Sequence, residues 1–433
     1  MKIFGTSGIR LKADRSLLEL AFKCGLFVGG THRRVVIAGD SRTSSPAVKS
    51  ALVAGLCGSG ANSLDIGMVP TPVLAYTARE FDAGIMITAS HNPPEYNGLK
   101  FYNPDGSAYS EKQKMELEAR IYNDNANTVS WEDFGDCQYL PGAVESYINA
   151  ILSCFSKKLT LKVVVDCGGG AASEIAPLLL RRLGCEVVEL FCQPEGRFPR
   201  PSEPVEENLG RLKQAVISNN ADLGLAHDGD ADRLMAVDDQ GKFVNGDLLM
   251  VILATAISAK KVVTTVDASS VIDGQEFAVK RTPVGDNYVS QMLIEWGDFG
   301  GEPSGSWVFP RFSYCPDGLF AAAQLATVAT RSKISTLVND ISQYPIRRMS
   351  VAVDRELLPA IIKQLMILEP DTVDNTDGSK MVFKDCWALV RPSGTESKIR
   401  FTLEAHDQQQ LEKLSRQVIA SVNLVARKEV VFE

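Results

Sequence analysis

At 433 residues the chain is too long for one hydrophobic core and calls for about three domains. With 45% hydrophobic and 23% charged residues it has the balance of an ordinary soluble globular protein, and a net charge of −8 without a sustained basic stripe excludes a nucleic-acid partner while leaving local arginines free to hold small anions. Nine scattered cysteines with no C-x-x-C pair, four histidines, no secretory head and a longest apolar run (248–257) of about half a membrane span exclude a disulfide framework, a histidine metal centre and a membrane partner, so a cytoplasmic protein is expected.

Near the N-terminus, Phe4-Gly5-Thr6-Ser7-Gly8-Ile9-Arg10 sets hydroxyls and an arginine beside two glycines, a candidate anion contact. Residues 35–38 read as a buried strand ending at Gly39-Asp40-Ser41-Arg42, followed by a small-residue helix over about 46–58 and a strand at 63–66. The apolar run Gly84-Ile85-Met86-Ile87 is a further strand, and it stops at Thr88-Ala89-Ser90-His91-Asn92-Pro93-Pro94-Glu95-Tyr96-Asn97-Gly98-Leu99-Lys100. The paired prolines fix φ and push the residue before them away from helix, so this loop is stiff. A hydroxyl held there, Ser90, suits a nucleophile or a phosphoryl carrier, although Ser-His-Asn-Pro by itself reads equally well as an ordinary turn.

The same order of strand, helix and strand restarts at 163–166, 172–183 and 185–188, and a third time near 261–266. It predicts βαβ units with helices on both faces of mostly parallel sheets. Each of the three segments sends a later strand into a polar loop, at 90–97, 228–233 and 301–306, where α/β sheets bind ligands. From about Tyr344 the pattern changes to short strands around 349–353, 381–383, 387–390 and 399–405 and a closing helix at 408–424. The expected fold is α/β: three related α/β domains with mixed, mostly parallel sheets at 1–139, 140–236 and 237–343, and a smaller α+β domain at 344–433.

Asp228-Gly229-Asp230-Ala231-Asp232-Arg233 places three carboxylates at alternate positions, within reach of one hard cation such as Mg²⁺. An EF-hand starts alike but needs Gly at its sixth position and Glu at its twelfth, where this chain has Arg233 and Asp239. Gly301-Glu302-Pro303-Ser304-Gly305-Ser306 offers a carboxylate and hydroxyls suited to neighbouring sugar hydroxyls, a weak signal alone. Arg391-Pro392-Ser393-Gly394-Thr395-Glu396-Ser397-Lys398-Ile399-Arg400 has the makings of a phosphate cradle, with Arg391 or Arg400 giving paired donors.

Together these loops, in this order and over essentially the whole chain, resemble the α-D-phosphohexomutase superfamily, the phosphoglucomutase/phosphomannomutase family. The resemblance implies four domains around a central cleft. It implies that Ser90 is phosphorylated in the resting enzyme, with Mg²⁺ between Ser90, Asp228, Asp230 and Asp232. A phosphoryl group would pass to a hexose phosphate, giving a hexose 1,6-bisphosphate that turns over in the cleft and returns its other phosphate to Ser90. Arg391, Ser393, Gly394, Thr395 and Arg400 would hold the distal phosphate, Glu302 and Ser304 the sugar hydroxyls, and Arg233 would also contact substrate. Proton transfer would fall to His91, Lys100 and Arg10 near Ser90. Two departures stand out: Ser306 where many relatives have histidine, and Pro283 where relatives often have lysine.

The segment Val284-Gly285-Asp286-Asn287-Tyr288-Val289 looks more like the version in the family's glucosamine branch than the glucose/mannose version, and Gly301-Glu302-Pro303-Ser304-Gly305-Ser306 is similar to forms in the archaeal-type part of that branch. The expected activity is therefore interconversion of glucosamine 6-phosphate and glucosamine 1-phosphate by a monomer or homodimer. A phosphomannomutase/phosphoglucomutase of broad hexose specificity, a metal-dependent serine phosphatase and a silent sugar-phosphate sensor are the competing readings.

Overall fold

The computed structural model describes residues 3–123, 128–155, 158–393, 398–427 and 429–432. Four sheets follow one another along the chain. The first has seven strands in the spatial order Phe4–Gly5, Gly8–Lys12, Tyr96–Tyr102, Ala83–Ile87, Arg34–Gly39, Asn62–Met68 and Cys137–Tyr139. Its central strands are buried along their length, which is why Val35–Ala38 and Gly84–Ile87 carry continuous apolar runs instead of alternating ones. Three of its pairings are parallel and three antiparallel, so the sheet is evenly mixed, with less parallel character than the sequence pattern implies. Residues 88–100 are also not one loop: the chain turns back into the sheet at Tyr96, and Lys100 lies within an antiparallel strand.

The second sheet orders Phe243–Val244, Leu234–Val237, Leu223–His227, Lys162–Asp166 and Glu186–Leu190. Because Phe243–Val244 pairs with Leu234–Val237, this unit runs to Val244, past the expected division at 236. The third sheet orders Ala278–Thr282, Lys261–Thr265, Phe299–Gly301 and Trp307–Val308. The fourth is wholly antiparallel, built from Ile346–Val351, Ile399–Ala405, Cys386–Pro392, Ser379–Phe383 and Thr372–Asp374. Leu358–Leu365 and Gln408–Ala426 cover it.

One continuous apolar core runs through the first three units, from Val36 through Val163 and Leu249 to Ile334. Where they meet, Tyr76 stacks on Phe312, Tyr147 packs edge-on against both, and the Tyr147 hydroxyl donates to both oxygens of buried Asp317 at 2.7 and 2.8 Å. The fourth unit has its own core, centred on Phe401 and Leu403. It meets the third through a small cluster of Val266, Trp387 and Leu389 and through polar contacts such as Arg348 to Asp247 at 2.8 Å and Lys380 to the Val266 carbonyl at 3.0 Å. A separate core makes the last unit the part of the molecule able to move as a body without breaking the other three. Among the described residues no helix is long and apolar enough to cross a membrane, and all nine cysteines are free thiols.

Candidate active site

Three strands of three different sheets end at one place. Ser90 lies just past Ala83–Ile87, Asp228 follows Leu223–His227 and Glu302 follows Phe299–Gly301. The Ser90 hydroxyl donates to Asp228 Oδ2 at 2.8 Å across 138 residues of sequence. Ser90 is buried and has φ of 52°, a left-handed conformation that costs a residue with a Cβ of the order of 1 kcal/mol.

The strain is held by main-chain contacts on both sides of Ser90. Its N–H donates to Thr88 Oγ1 at 2.8 Å, and Thr88 Oγ1 in turn donates to Asp40 Oδ2 at 2.6 Å. Its carbonyl accepts from Arg42. The Arg42 guanidinium is fully buried and spends all five N–H groups: Nε on Asp40 Oδ2 at 3.0 Å, Nη1 on the Pro93 and Tyr96 carbonyls at 2.6 and 2.8 Å, and Nη2 on the Ser90 and Asn92 carbonyls at 2.7 Å each. Phe198 of the second unit lies 4.9 Å from the same guanidinium. Arg42 is thus a positioning residue that sequence reasoning missed; its only mark was a turn, Gly39-Asp40-Ser41-Arg42, at a strand end. Lysine carries three donors and no planar fork, so Arg42→Lys leaves at least two of these five hydrogen bonds unmade, at about 1–3 kcal/mol each. The expected result is a lower Tm and a kcat reduced by about 10- to 100-fold with KM little changed. An unaltered kcat would remove Arg42 from this role.

The aspartate loop packs directly on the serine loop. A Cβ on Gly229 would stand 2.6 Å from the Ser90 carbonyl oxygen, so only glycine allows this approach. Asp228, Asp230 and Asp232 are buried, and one oxygen of each lies within 4.8 Å of the others. Lys100 Nζ bridges two of them, at 2.6 Å from Asp230 Oδ2 and 2.5 Å from Asp232 Oδ2, and Thr71 Oγ1 donates to Asp230 Oδ2 at 2.5 Å. The opposite oxygens, Asp230 Oδ1 and Asp232 Oδ1, are buried without a hydrogen-bond partner. Burial and the two neighbouring carboxylates push Asp228 well up, and burial with Asp230 raises Asp232. Against its own burial, Asp230 is brought down to about 2 by Lys100. Three buried carboxylates facing one ammonium, with two oxygens orphaned, form a donor set that fits a hard divalent cation, so this cluster can hold a metal ion.

The other predicted residues border this centre. Arg10 Nη1 donates to Asn92 Oδ1 at 3.0 Å, and His91 Nδ1 stands 3.5 Å from Ser90 Oγ. Burial, helped by the charges of Arg233 and Arg10, holds His91 well below its ordinary pKa, so its ring is neutral. Arg233 Nη1 pairs with Glu203 at 3.2 Å. Glu302 accepts from the Gly285 N–H at 2.8 Å and from Ser304 Oγ at 3.5 Å. Ser306, in place of the histidine of many relatives, is buried and gives its carbonyl to the Glu302 N–H at 3.0 Å. Arg391 and Arg400 are cross-strand partners, and Arg391 Nη2 lies 4.0 Å from Asp267 Oδ2. Nearby, the Ser393 N–H donates to the Lys398 carbonyl at 2.9 Å. Gly394 and Thr395 lie outside the described residues.

Four profiles together span most of the chain. They are described as phosphoglucomutase/phosphomannomutase alpha/beta/alpha domain I (residues 1–128), domain II (145–241), domain III (245–344) and the C-terminal domain (350–421). A "Probable phosphoglucosamine mutase" of Methanocella arvoryzae is 46% identical over 96% of this chain and 97% of its own. A protein of the same description from Methanosarcina barkeri is 44% identical over 94% and 96%. Among solved structures, a phosphoglucomutase/phosphomannomutase family protein of Burkholderia thailandensis superposes with a TM-score of 0.87 at 27% identity, covering 98% of both chains.

Proposed function

The chain belongs to the phosphoglucomutase/phosphomannomutase family, and on that premise we propose that it interconverts glucosamine 6-phosphate and glucosamine 1-phosphate through a phosphoserine at Ser90. The observation that carries the chemistry is the hydrogen bond from Ser90 Oγ to a buried carboxylate cluster with two orphaned oxygens. The sugar is taken from the relatives described as probable phosphoglucosamine mutases.

In this reading Ser90 Oγ carries the phosphoryl group and faces the free hydroxyl of the bound hexose phosphate. As the P–Oγ bond breaks, the P–O bond to the sugar forms, and the proton leaving the sugar hydroxyl has His91 Nδ1 beside it. The resulting bisphosphate turns end for end and gives its other phosphoryl group back to Ser90. Asp228, Asp230 and Asp232, with Ser90, would hold Mg²⁺, which when bound supplies positive charge against the transferring phosphoryl oxygens. Lys100 holds Oδ2 of Asp230 and of Asp232, and the Oδ1 of each is left without a partner for a cation to take. Arg391, Ser393, Gly394, Thr395 and Arg400 hold the phosphate that is not reacting, Arg233 adds a guanidinium in the cleft, and Glu302 with Ser304 takes sugar hydroxyls in both orientations. Movement of the separately cored fourth unit over the cleft would exclude water and protect the phosphoserine.

Coupled assays comparing glucosamine, glucose and mannose 6-phosphates test the substrate. The expected result is the largest kcat/KM for glucosamine 6-phosphate, with no net phosphate release. Equal use of all three would favour the broad-specificity mutase, and stoichiometric phosphate release a phosphatase.

Glu302 adds a pH signature. Burial, reinforced by Asp286 and Asp267 and opposed by Arg233, pushes its carboxyl up to about 8. The acceptor form is therefore the minority at pH 7 and the majority at pH 9. With glucose 6-phosphate, whose ring bears no titrating amine, kcat/KM should rise about tenfold across that interval. Glu302→Gln should flatten the rise, and a flat profile in the parent enzyme would show that no such titration limits binding.

A further inference from the structure

A second buried arginine ties down the aspartate loop much as Arg42 ties down the serine loop. Asp40 follows Arg34–Gly39, the strand that runs parallel to Ala83–Ile87 and so ends beside the serine loop. In the second unit Asp166 holds the corresponding place, for it ends Lys162–Asp166, which runs parallel to Leu223–His227, the strand that leads into Asp228. Arg200 Nε donates to Asp166 Oδ2 at 2.9 Å, as Arg42 Nε does to Asp40 Oδ2 at 3.0 Å. From that anchor Arg200 Nη2 donates to the His227 carbonyl at 2.8 Å, and Nη1 to the Pro201 and Ser202 carbonyls at 2.9 and 3.3 Å. Both Asp166 and Arg200 are buried. Gly168, at φ of 55°, leaves room for the guanidinium, since a Cβ there would stand 3.1 Å from Arg200 Cζ.

The residues on either side of Arg200 reach the rest of the site. Phe198 lies against the Arg42 guanidinium, Ser202 Oγ donates to the Ser90 carbonyl at 3.4 Å, and Glu203 pairs with Arg233 at 3.2 Å. A Cβ on Gly229 would stand 2.9 Å from Ser202 Oγ, so this stretch presses on the aspartate loop. Pro199 and Pro201 flank Arg200 and fix φ on both sides of it. The hydrogen bonds described for Arg200 go to Asp166 and to main-chain carbonyls, so its effect on chemistry passes through the main chain it holds.

We propose that Arg200, anchored by Asp166, is a positioning residue for metal binding: it fixes the main chain immediately before Asp228 and, with residues 198–203, sets the aspartate loop against the serine loop. The inference rests on the reading of the aspartate cluster as a Mg²⁺ site and adds what holds one of its ligands in place. A guanidinium fork meets the acid and the His227 carbonyl in one plane, whereas a lysine in its place keeps the charge and loses the fork.

The test is Mg²⁺ titration by calorimetry, with kinetics alongside, on Arg200→Lys and Asp166→Asn. The first keeps a positive charge beside Asp166, and the second keeps an oxygen for the Gly168 N–H. In Arg200→Lys both Mg²⁺ affinity and kcat should fall by about 10- to 100-fold, with KM for the sugar phosphate within about threefold of the parent's. Asp166→Asn should weaken Mg²⁺ affinity in the same direction by a smaller factor. A role confined to folding would lower Tm and leave the Mg²⁺ affinity of the folded protein unchanged, and that result overturns the assignment. Should Arg200→Lys not melt cooperatively, Asp166→Asn decides, and unchanged Mg²⁺ affinity in that variant overturns it equally. A parent chain that binds no Mg²⁺ sinks the metal reading itself; a parent that binds it, with folded variants that bind it as tightly, sinks only the role of Arg200.

Discussion

Ser90→Ala should lower kcat by on the order of 10⁴-fold or more, because it removes the atom on which the phosphoryl group would rest. The fold should survive. The Ser90 main chain is held through its N–H by Thr88 and through its carbonyl by Arg42, and neither contact uses the hydroxyl that the substitution deletes. Incubation with radiolabelled hexose 1,6-bisphosphate should label the parent chain on residue 90 and leave the variant unlabelled. A variant that retains a tenth of the parent turnover would show that the phosphoryl group does not pass through Ser90.

Asp230→Asn is expected to cost on the order of 10³-fold in kcat, equivalent to about 4 kcal/mol of transition-state stabilisation. Asp230 carries the most negative charge of the three acids, since Lys100 holds it down to about 2, and one of its oxygens is orphaned. Asparagine occupies the same volume and keeps an oxygen for Thr71, while Lys100 retains Asp232, so Tm should stay near the parent value. Mg²⁺ titration followed by calorimetry should show affinity weakened in parallel with activity. Full activity in the variant, or a parent enzyme that works equally well after chelation, would contradict a metal role for this cluster.

Much of this site is written locally. Two consecutive prolines stiffen the loop after a buried apolar strand, so Ser90 announces itself; three carboxylates at alternate positions announce a cation. The fourth unit's change from βαβ rhythm to short strands is likewise visible, because strand spacing and helix length are local properties. The strand that carries Lys100 is not legible in its own residues, since residues 96–102 acquire their extended form from pairing with Gly8–Lys12 and Ala83–Ile87. The evenly mixed first sheet and the extension of the second sheet to Val244 escaped for the same reason: pairing partners leave no mark on a strand's own residues.

By itself, then, the amino-acid order determined the alternating architecture, the stiff serine loop, the aspartate triplet and the glycine-borne loops, because each depends on neighbours a few residues apart. Tertiary structure alone decided what they face. Thr71 reaches Asp230 across 159 residues, Lys100 reaches Asp232 across 132, and Arg42 gathers carbonyls about 50 residues downstream. A buried charge is tolerated only beside its partner, and that partner is chosen by how the sheets pack, which no local pattern encodes.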